Sequence, residues 1–554
     1  MSRPGFKAIS VVALASVLTA VIGYCGIRAS LKFGRLSIPP TYDDVVYFVS
    51  GAKWLSAWPG RSLAASLYAL LGEHAPFSTI TAVAGFLITP ESYVGHYAIN
   101  VVVVAGVLFG IAALVRRSDI IGIAICLIGV ACFPLMVQVI NEARPDLCWG
   151  LACGLAIGVI VRAPIHRCSF VTVAFLGFCC GLAALIKPSA LPASLACFAA
   201  VFLVSLAAGR FDSDEPPTVT DATSRIAMFG LGAILALAPY LSVSFSRITG
   251  YIWRTLVENR QLWALDAGLY DHVVFYSFGH SFGAPGRLAL GDGLMAGLGL
   301  FAARLALGAY LKSKDMVRAL VLLAAVVVAY AIPSLSVVKS YFLGAMFYGT
   351  FIVATVLNFV AVDGLMRDAM GDRRLDRIRR FGVFRIVVMI ALAGVFLRAM
   401  MLKDARIAST FDEATGREVR ASSEAVWQTL RGLSVPSANS PGRQLVASFS
   451  SPYPVNPTLI ELYAQRAQSP LTVRGEFFHP RLDEALKSLS GADIQVVTSS
   501  LPHNLPGPRM GDDIIQALDG RSDLCAIQTL SLPDGRVLRV YRKIDQGCSL
   551  APAR

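Results

Sequence analysis

Long apolar runs recur eleven times in this chain, and they constrain its fold more than any other feature. A bilayer core of about 30 Å takes roughly 20 apolar residues per spanning helix. Runs near that length, bounded by charges or turn residues, lie at Ala8 to Ile27, Tyr97 to Val115, Ile120 to Val139, Leu147 to Val161, Phe170 to Ile186, Ala190 to Ala208, Ile226 to Phe245, Leu294 to Leu311, Ala319 to Leu335, Phe342 to Val362 and Val383 to Leu397. Only 15% of the 554 residues are charged, against about a quarter in soluble domains. One soluble globule is therefore excluded, and the chain reads as a polytopic α-helical membrane protein of about 11 spans.

The formal charge of +13 would by itself suggest a nucleic-acid partner, but its position argues otherwise. From Lys403 onward there are 17 basic and 16 acidic residues, so the first 402 hold 32 against 20. Lys and Arg in short loops set orientation. With the N-terminus inside, 18 of those 32 fall on cytoplasmic segments: Arg3, Lys7, Arg116, Arg117, Arg162, Arg167, Arg210, Arg225, Lys312, Lys314, Arg318, and the cluster Arg367, Arg373, Arg374, Arg377, Arg379, Arg380 and Arg385. The expected topology is N-in and C-out, with long external loops at about 28–96 and 246–293. No nucleic-acid partner is expected. Arg3 and Lys7 before a run long enough to span read as an uncleaved signal anchor.

The expected domains are a membrane domain over 1–401 and an extracytoplasmic α/β domain over 402–554. In the tail, Asn456-Pro457 reads as an N-cap with proline at the first helical position, opening a helix to about Ala467. Further helices are expected at His479 to Leu489 and Asp512 to Leu518. Strands are expected at Gln444 to Phe449, Asp493 to Thr498, Cys525 to Leu530 and Arg536 to Lys543, the last two joined as a hairpin through Pro533-Asp534-Gly535. Nine of eleven cysteines lie in or beside apolar runs, while Cys525 and Cys548 share the tail. Either those two form a disulfide in an oxidising compartment or both stay reduced.

Scarce charges on the external face are the candidates for chemistry, because charge near a bilayer is costly to desolvate unless it snorkels or is used. Asp43 and Asp44 open the first external segment, ahead of a helix expected over Val49 to Leu55. Adjacent residues cannot share one helical face, so one carboxylate can act as a base while the other caps the helix; the alternative is a solvated capping pair. The same face carries His74, Glu142, Arg144, Asp146, Lys187, Lys339 and Tyr341. Asp146 reads either as a site residue or as a Pro-Asp cap of the fourth run. Glu142 and Arg144 either pair across a turn or meet substrate. Lys187 reads either as a phosphate ligand or as a snorkelling helix end, and Tyr341 either as a ligand or as part of the aromatic belt. Arg254 and Arg260, among aromatics in the second long loop, suit either a lipid phosphate or an amphipathic helix in the interface. No metal site is expected, since His272 and His280 are too far apart for a short ligand motif.

Taken in order and sidedness, these residues resemble the GT-C superfamily over roughly the first 400 residues. The resemblance is to the branch holding protein O-mannosyltransferases, lipid A aminoarabinose transferases and related bacterial sugar transferases. It rests on an acidic pair early in the first external loop, a His-Ala-Pro-Phe step from His74, an Arg144-Pro145-Asp146 turn, and Lys339 beside aromatics. The resemblance implies inverting transfer of a sugar from a polyprenyl-phosphate donor to a hydroxyl of a glycolipid, polysaccharide or protein, outside a bacterial inner membrane. It implies Asp43 as catalytic base, Asp44 and Asp146 as supporting acids, His74 as the basic residue before proline, and Lys339 and Tyr341 as donor-phosphate contacts. A monophosphate leaving group can be stabilised by cationic side chains alone, so no cofactor is obligatory.

A transporter or flippase of lipid-linked or small polar substrates is the competing class. Transporters place charged or broken-helix sites near the midplane, often in repeated halves. Here the polar candidates fall at external helix ends and no repeat is evident.

Overall fold

The computed structural model describes residues 4–33, 35–40, 42–212, 218–258, 268–278, 285–311, 313, 315–336, 338–339, 341–370, 375–401, 413–434, 444–451, 455–476, 481–500, 510–532 and 535–544. Two compact units emerge: Met1–Ala29 with Ala57–Ile407, and Ser30–Ser56 with Ala408–Arg554. Residues 30–56 thus group with the tail, whereas hydropathy suggested an unbroken first domain through residue 401.

The first unit is that of an integral, multi-pass membrane protein. Among the described residues, eight helices are long and apolar enough to cross a membrane, and the count is nine when the pair Ile120–Ala131 and Pro134–Asn141, bent by 53°, is taken as one broken span. The bend sits at Pro134, which has no N–H to donate and holds Phe133 in extended geometry at φ −70 and ψ 129. This differs from the eleven spans expected. Phe170–Leu185 is helical but has 16 residues, about 24 Å at 1.5 Å per residue. Just beyond it, Lys187 precedes Pro188 and leaves helical geometry at φ −130 and ψ 85. The eleventh run lies within the helix Leu375–Met401, whose first half carries Arg377, Arg379, Arg380 and Arg385.

Lipid offers helices no hydrophobic drive to associate, so close packing must come from small residues. Helix Pro145–Arg162 runs parallel to helix Ala345–Met370 at backbone contact. A Cβ added to Gly150 would run into the Ala345 carbonyl, and one on Gly154 into the Gly349 backbone. Phe170–Leu185 and Val219–Trp253 form a second parallel pair of the same kind, with Gly177 against Phe229 and Gly232 against Ala174.

Ion pairs tie one end of this unit. Asp119 accepts from the Gly122 N–H at 2.8 Å, from both Nη atoms of Arg385 at 2.7 and 2.6 Å, and from Arg367 at 2.8 Å. Arg385 also reaches Asp363 at 3.0 Å. Hydrogen bonding to Arg385 holds the Asp119 carboxyl well below the usual carboxylate range. Inside a span, Arg304 is 5% exposed and is satisfied by a fork onto Asp315, both bonds 2.8 Å, and by Asn358 at 3.0 Å.

The second unit is built on a five-stranded sheet, β1 Leu445–Phe449, β2 Leu471–Gly475, β3 Ile494–Thr498, β4 Leu524–Ser531 and β5 Val537–Lys543, in the order β2-β1-β3-β5-β4. β1 is parallel to β2 and β3, and β5 is antiparallel to β3 and β4. Alternation along the strands sorts the two faces. Ala447, Phe449, Ile494, Val496, Leu538 and Val540 pack with Val426, Trp427 and Leu430 of helix Glu413–Leu433 and Ile460 of helix Pro457–Arg466. Val497, Leu524 and Tyr541 pack on the other face with Leu489 of helix Leu482–Ser490 and Ile514 and Leu518 of helix Gly511–Asp519. The result is a three-layer α/β/α arrangement.

The Asn456 cap holds, its side chain accepting from the Thr458 N–H at 2.8 Å. The β4-β5 hairpin forms, with Gly535 at φ 81 supplying the left-handed position; Pro533 and Asp534 lie outside the described residues. Two elements were not anticipated, β2 and helix Glu413–Leu433. Cys525 is disulfide-bonded, and Cys548 lies outside the described residues. A larger difference concerns the acidic pair: the helix runs over Tyr42–Ala57, not from Val49. Pro39 and Pro40 stop anything before it, and carboxylates in its first turn favour the positive end of the helix dipole.

Replacing Gly154 by Val should split the parallel pair and destabilise the first unit by about 1–3 kcal/mol. Thermal unfolding of the protein in detergent would register this as a lowered transition temperature.

Candidate functional site

Within the first unit, one helix end gathers most of the expected site. Arg144 stands at the N-cap position of helix Pro145–Arg162 in extended geometry, with Pro145 first in the helix and Asp146 in its first turn. Because this helix lies parallel to Ala345–Met370, its start lies beside the short turn Tyr341–Gly344 that opens the latter. The Arg144 guanidinium sits 4.3 Å over the Phe342 ring.

Asp146 neither caps a helix nor stands in solvent: Lys187 donates to its Oδ1, and both side chains are largely buried. The same ammonium lies 5.4 Å over Trp149, whose indole N–H donates to Ser194 at 2.9 Å. Lys187 is therefore paired and not snorkelling. Glu142 is buried on the preceding turn, and its backbone carbonyl accepts from Asn100 at 2.7 Å.

Lys339 lies between two spans and is 9% exposed. Its ammonium donates to the carbonyls of Pro333 and Ser334, both at 2.8 Å, groups in the last turn of helix Asp315–Leu335 that lack helical partners. It also sits 5.2 Å over Tyr276. Among the described residues two carbonyls take two of its three N–H donors, and the third can meet an anion. Burial lowers the Lys339 pKa to about 8. Gly344 is needed here, since a Cβ would strike the Tyr276 ring. The Tyr341 side chain lies outside the described residues.

His74 is tilted against Tyr251 at 4.4 Å between ring centroids. The Tyr240 hydroxyl donates to the Glu73 and His74 carbonyls at 3.4 Å, so helix Val219–Trp253 holds the whole step. Arg254 is exposed at the end of that helix, its Nε donating to Gly250 at 3.4 Å. Arg260 lies outside the described residues.

The acidic pair belongs to the second unit. Asp44 is 0% exposed on a buried helical stripe with Val45, Phe48 and Val49, and the Arg35 guanidinium approaches it to 4.0 Å. Asp44 is therefore an internal anchor of its helix and not a wetted cap. The Asp43 backbone lies in the first turn; its side chain lies outside the described residues. Arg35 was missed from sequence although it shares the external segment with the pair, because nothing in linear spacing says that the chain doubles back through the turn Arg35–Ser37.

In fold the chain is similar to ArnT from Cupriavidus metallidurans in the apo state, with a TM-score of 0.57 and 14% identity over 97% of this chain and 99% of that one. It is also similar to the same protein bound to undecaprenyl phosphate, with a TM-score of 0.54 and 14% identity over 100% of each chain. The Archaeoglobus fulgidus oligosaccharyltransferase aligns over 87% of this chain and 69% of that one at 12% identity and a TM-score of 0.45. No family model matches the sequence, and no curated protein matches it. The chain thus has an ArnT-like fold.

A double-substitution cycle on Asp146→Asn and Lys187→Met should return a coupling energy of about 0.5–3 kcal/mol in thermal unfolding. Additive single effects would mean that the pair does not act as a unit.

Proposed function

We propose that the protein is an inverting membrane glycosyltransferase that moves a sugar from a polyprenyl-phosphate donor to a hydroxyl acceptor. What carries this reading is the set of cations Arg144, Lys187 and Lys339, each at least partly withdrawn from solvent and held by a ring, a carboxylate or helix-end carbonyls, within a fold like that of ArnT, whose solved structure binds undecaprenyl phosphate. The acceptor is a glycolipid, polysaccharide or protein. The site and the tail face the extracytoplasmic side of a bacterial inner membrane, following the basic-residue asymmetry.

In this mechanism the acceptor hydroxyl oxygen attacks the anomeric carbon while its proton passes to Asp43. The anomeric carbon–oxygen bond breaks on the opposite side, its electron pair staying with the lipid phosphate, and the configuration inverts. Lys339 offers its third N–H to that phosphate and Arg144 offers its planar fork. Asp146 holds Lys187 in place, and Asp44 fixes the helix that carries Asp43. His74, Glu142, Tyr341, Arg254 and Arg260 complete the proposed substrate contacts.

Asp43→Asn should lower transfer about 10²–10⁴-fold, measured in membranes given labelled polyprenyl-phosphate sugars; full transfer by this variant would overturn the base assignment. The pH profile carries a second test. A phosphate contact needs the Lys339 ammonium, so activity should fall as pH rises through about 8. Stability should move the opposite way between about 8 and the unfolded value near 10.4, because the unfolded chain then holds a proton that the folded one has lost. Lys339→Arg should shift the alkaline fall of activity upward, and an unmoved limb would remove Lys339 from the phosphate site.

A further inference from the structure

The acidic pair lies within the first external loop in sequence, yet its helix belongs to the compact unit of the tail. Two contacts within that unit join them. Lys53, on the helix that begins with the pair, donates to Glu461 of helix Pro457–Arg466 at 2.6 Å. Arg420, on helix Glu413–Leu433, reaches the Ser37 carbonyl at 3.4 Å, two residues from the Arg35 that approaches Asp44. The Leu36 N–H is held at 3.2 Å by the Ser30 hydroxyl, which steadies the same turn.

We infer that the tail domain is the scaffold of the catalytic loop, and that Lys53 and Glu461 are positioning residues that fix the acidic-pair helix for transfer. This rests on the reading of Asp43 as the base. The physical case is one of registration. Lys53 and Glu461 are both partly exposed, at 58% and 32%, and an exposed ion pair adds little to global stability. It nevertheless sets where one helix sits along another. A carboxylate that must meet a hydroxyl within hydrogen-bond reach is sensitive to displacement, since a 1 Å error costs on the order of 10²-fold in rate. The two helices are 408 positions apart in sequence, so a loop between two spans takes its rigidity from a domain made much later. An apolar face alone would allow the helix to slide; a charged contact at one point does not.

The test uses the full-length protein in membranes. Lys53→Glu and Glu461→Lys should each lower kcat about three- to tenfold with the acceptor KM unchanged. The double swap, Lys53→Glu with Glu461→Lys, should restore kcat to within about twofold. Single variants with native kcat, or a double swap no better than the singles, overturn the inference. A change confined to acceptor KM also overturns it, assigning the tail to acceptor capture. Asp43→Asn is run alongside: if it retains transfer, the base reading fails, whereas loss in that variant with no effect of the swaps leaves the base reading standing and removes only the positioning role.

Discussion

Everything in the membrane unit depends on backbones that touch. Gly150 and Gly154 admit the Ala345 and Gly349 main chain to a distance no side chain would permit, and in lipid such contact replaces the hydrophobic drive that packs soluble helices. Because that pair is parallel, the starts of both helices meet at one end. Arg144 and Asp146 arrive there on one helix, and Phe342 and Lys339 on the approach to the other. A cationic surface is thus assembled without any long excursion of chain, and each cation has a fixed counterpart: a ring for Arg144, a carboxylate for Lys187, helix-end carbonyls for Lys339.

Withdrawing a cation from water, even in part, is unfavourable if it is left to itself, and the structure meets the cost in different ways. Lys187 has a full ion pair and the face of Trp149. Among the described residues Lys339 has backbone dipoles and Tyr276, and burial lowers its pKa. That contrast divides the labour in the proposed reaction: a lysine already neutralised by a carboxylate keeps its place, whereas one held by dipoles alone has charge to offer a phosphate.

Much of this was legible in the sequence, for reasons that differ by element. Apolar runs report spans because lipid leaves a backbone few alternatives, yet run length could not reveal that Pro134 bends one span or that Phe170–Leu185 stops short. In the tail, strands of period two and the Asn456 cap were visible, while β2 was hidden because Leu471 alone of its five residues is buried and it ends on Arg474 and Gly475. Helix Glu413–Leu433 carried a clear signal that went unread, with Val419, Ser423, Val426, Leu430 and Leu433 at helical spacing. Asp146 and Lys187 were each visible as scarce charges, but their pairing spans 41 positions and no local pattern encodes it. Arg35 was hidden in the same way, since its relation to Asp44 exists only once the chain has turned.

The basic residues at the far end of the membrane unit have a double life. Lys7 donates to the carbonyls of Arg116 and Ser118 at 3.0 and 2.6 Å. Arg225 closes on the carbonyls of Ile165 and Cys168, both at 2.6 Å, and Arg385 grips Asp119. These belong to the same set of basic residues from which the orientation of the chain is expected. Topology and tertiary structure therefore read one alphabet. A molecule threaded backwards would find its address labels facing the wrong compartment and would also lack the ties that close its helix ends, so mis-threading and misfolding become one error, visible to the same quality control.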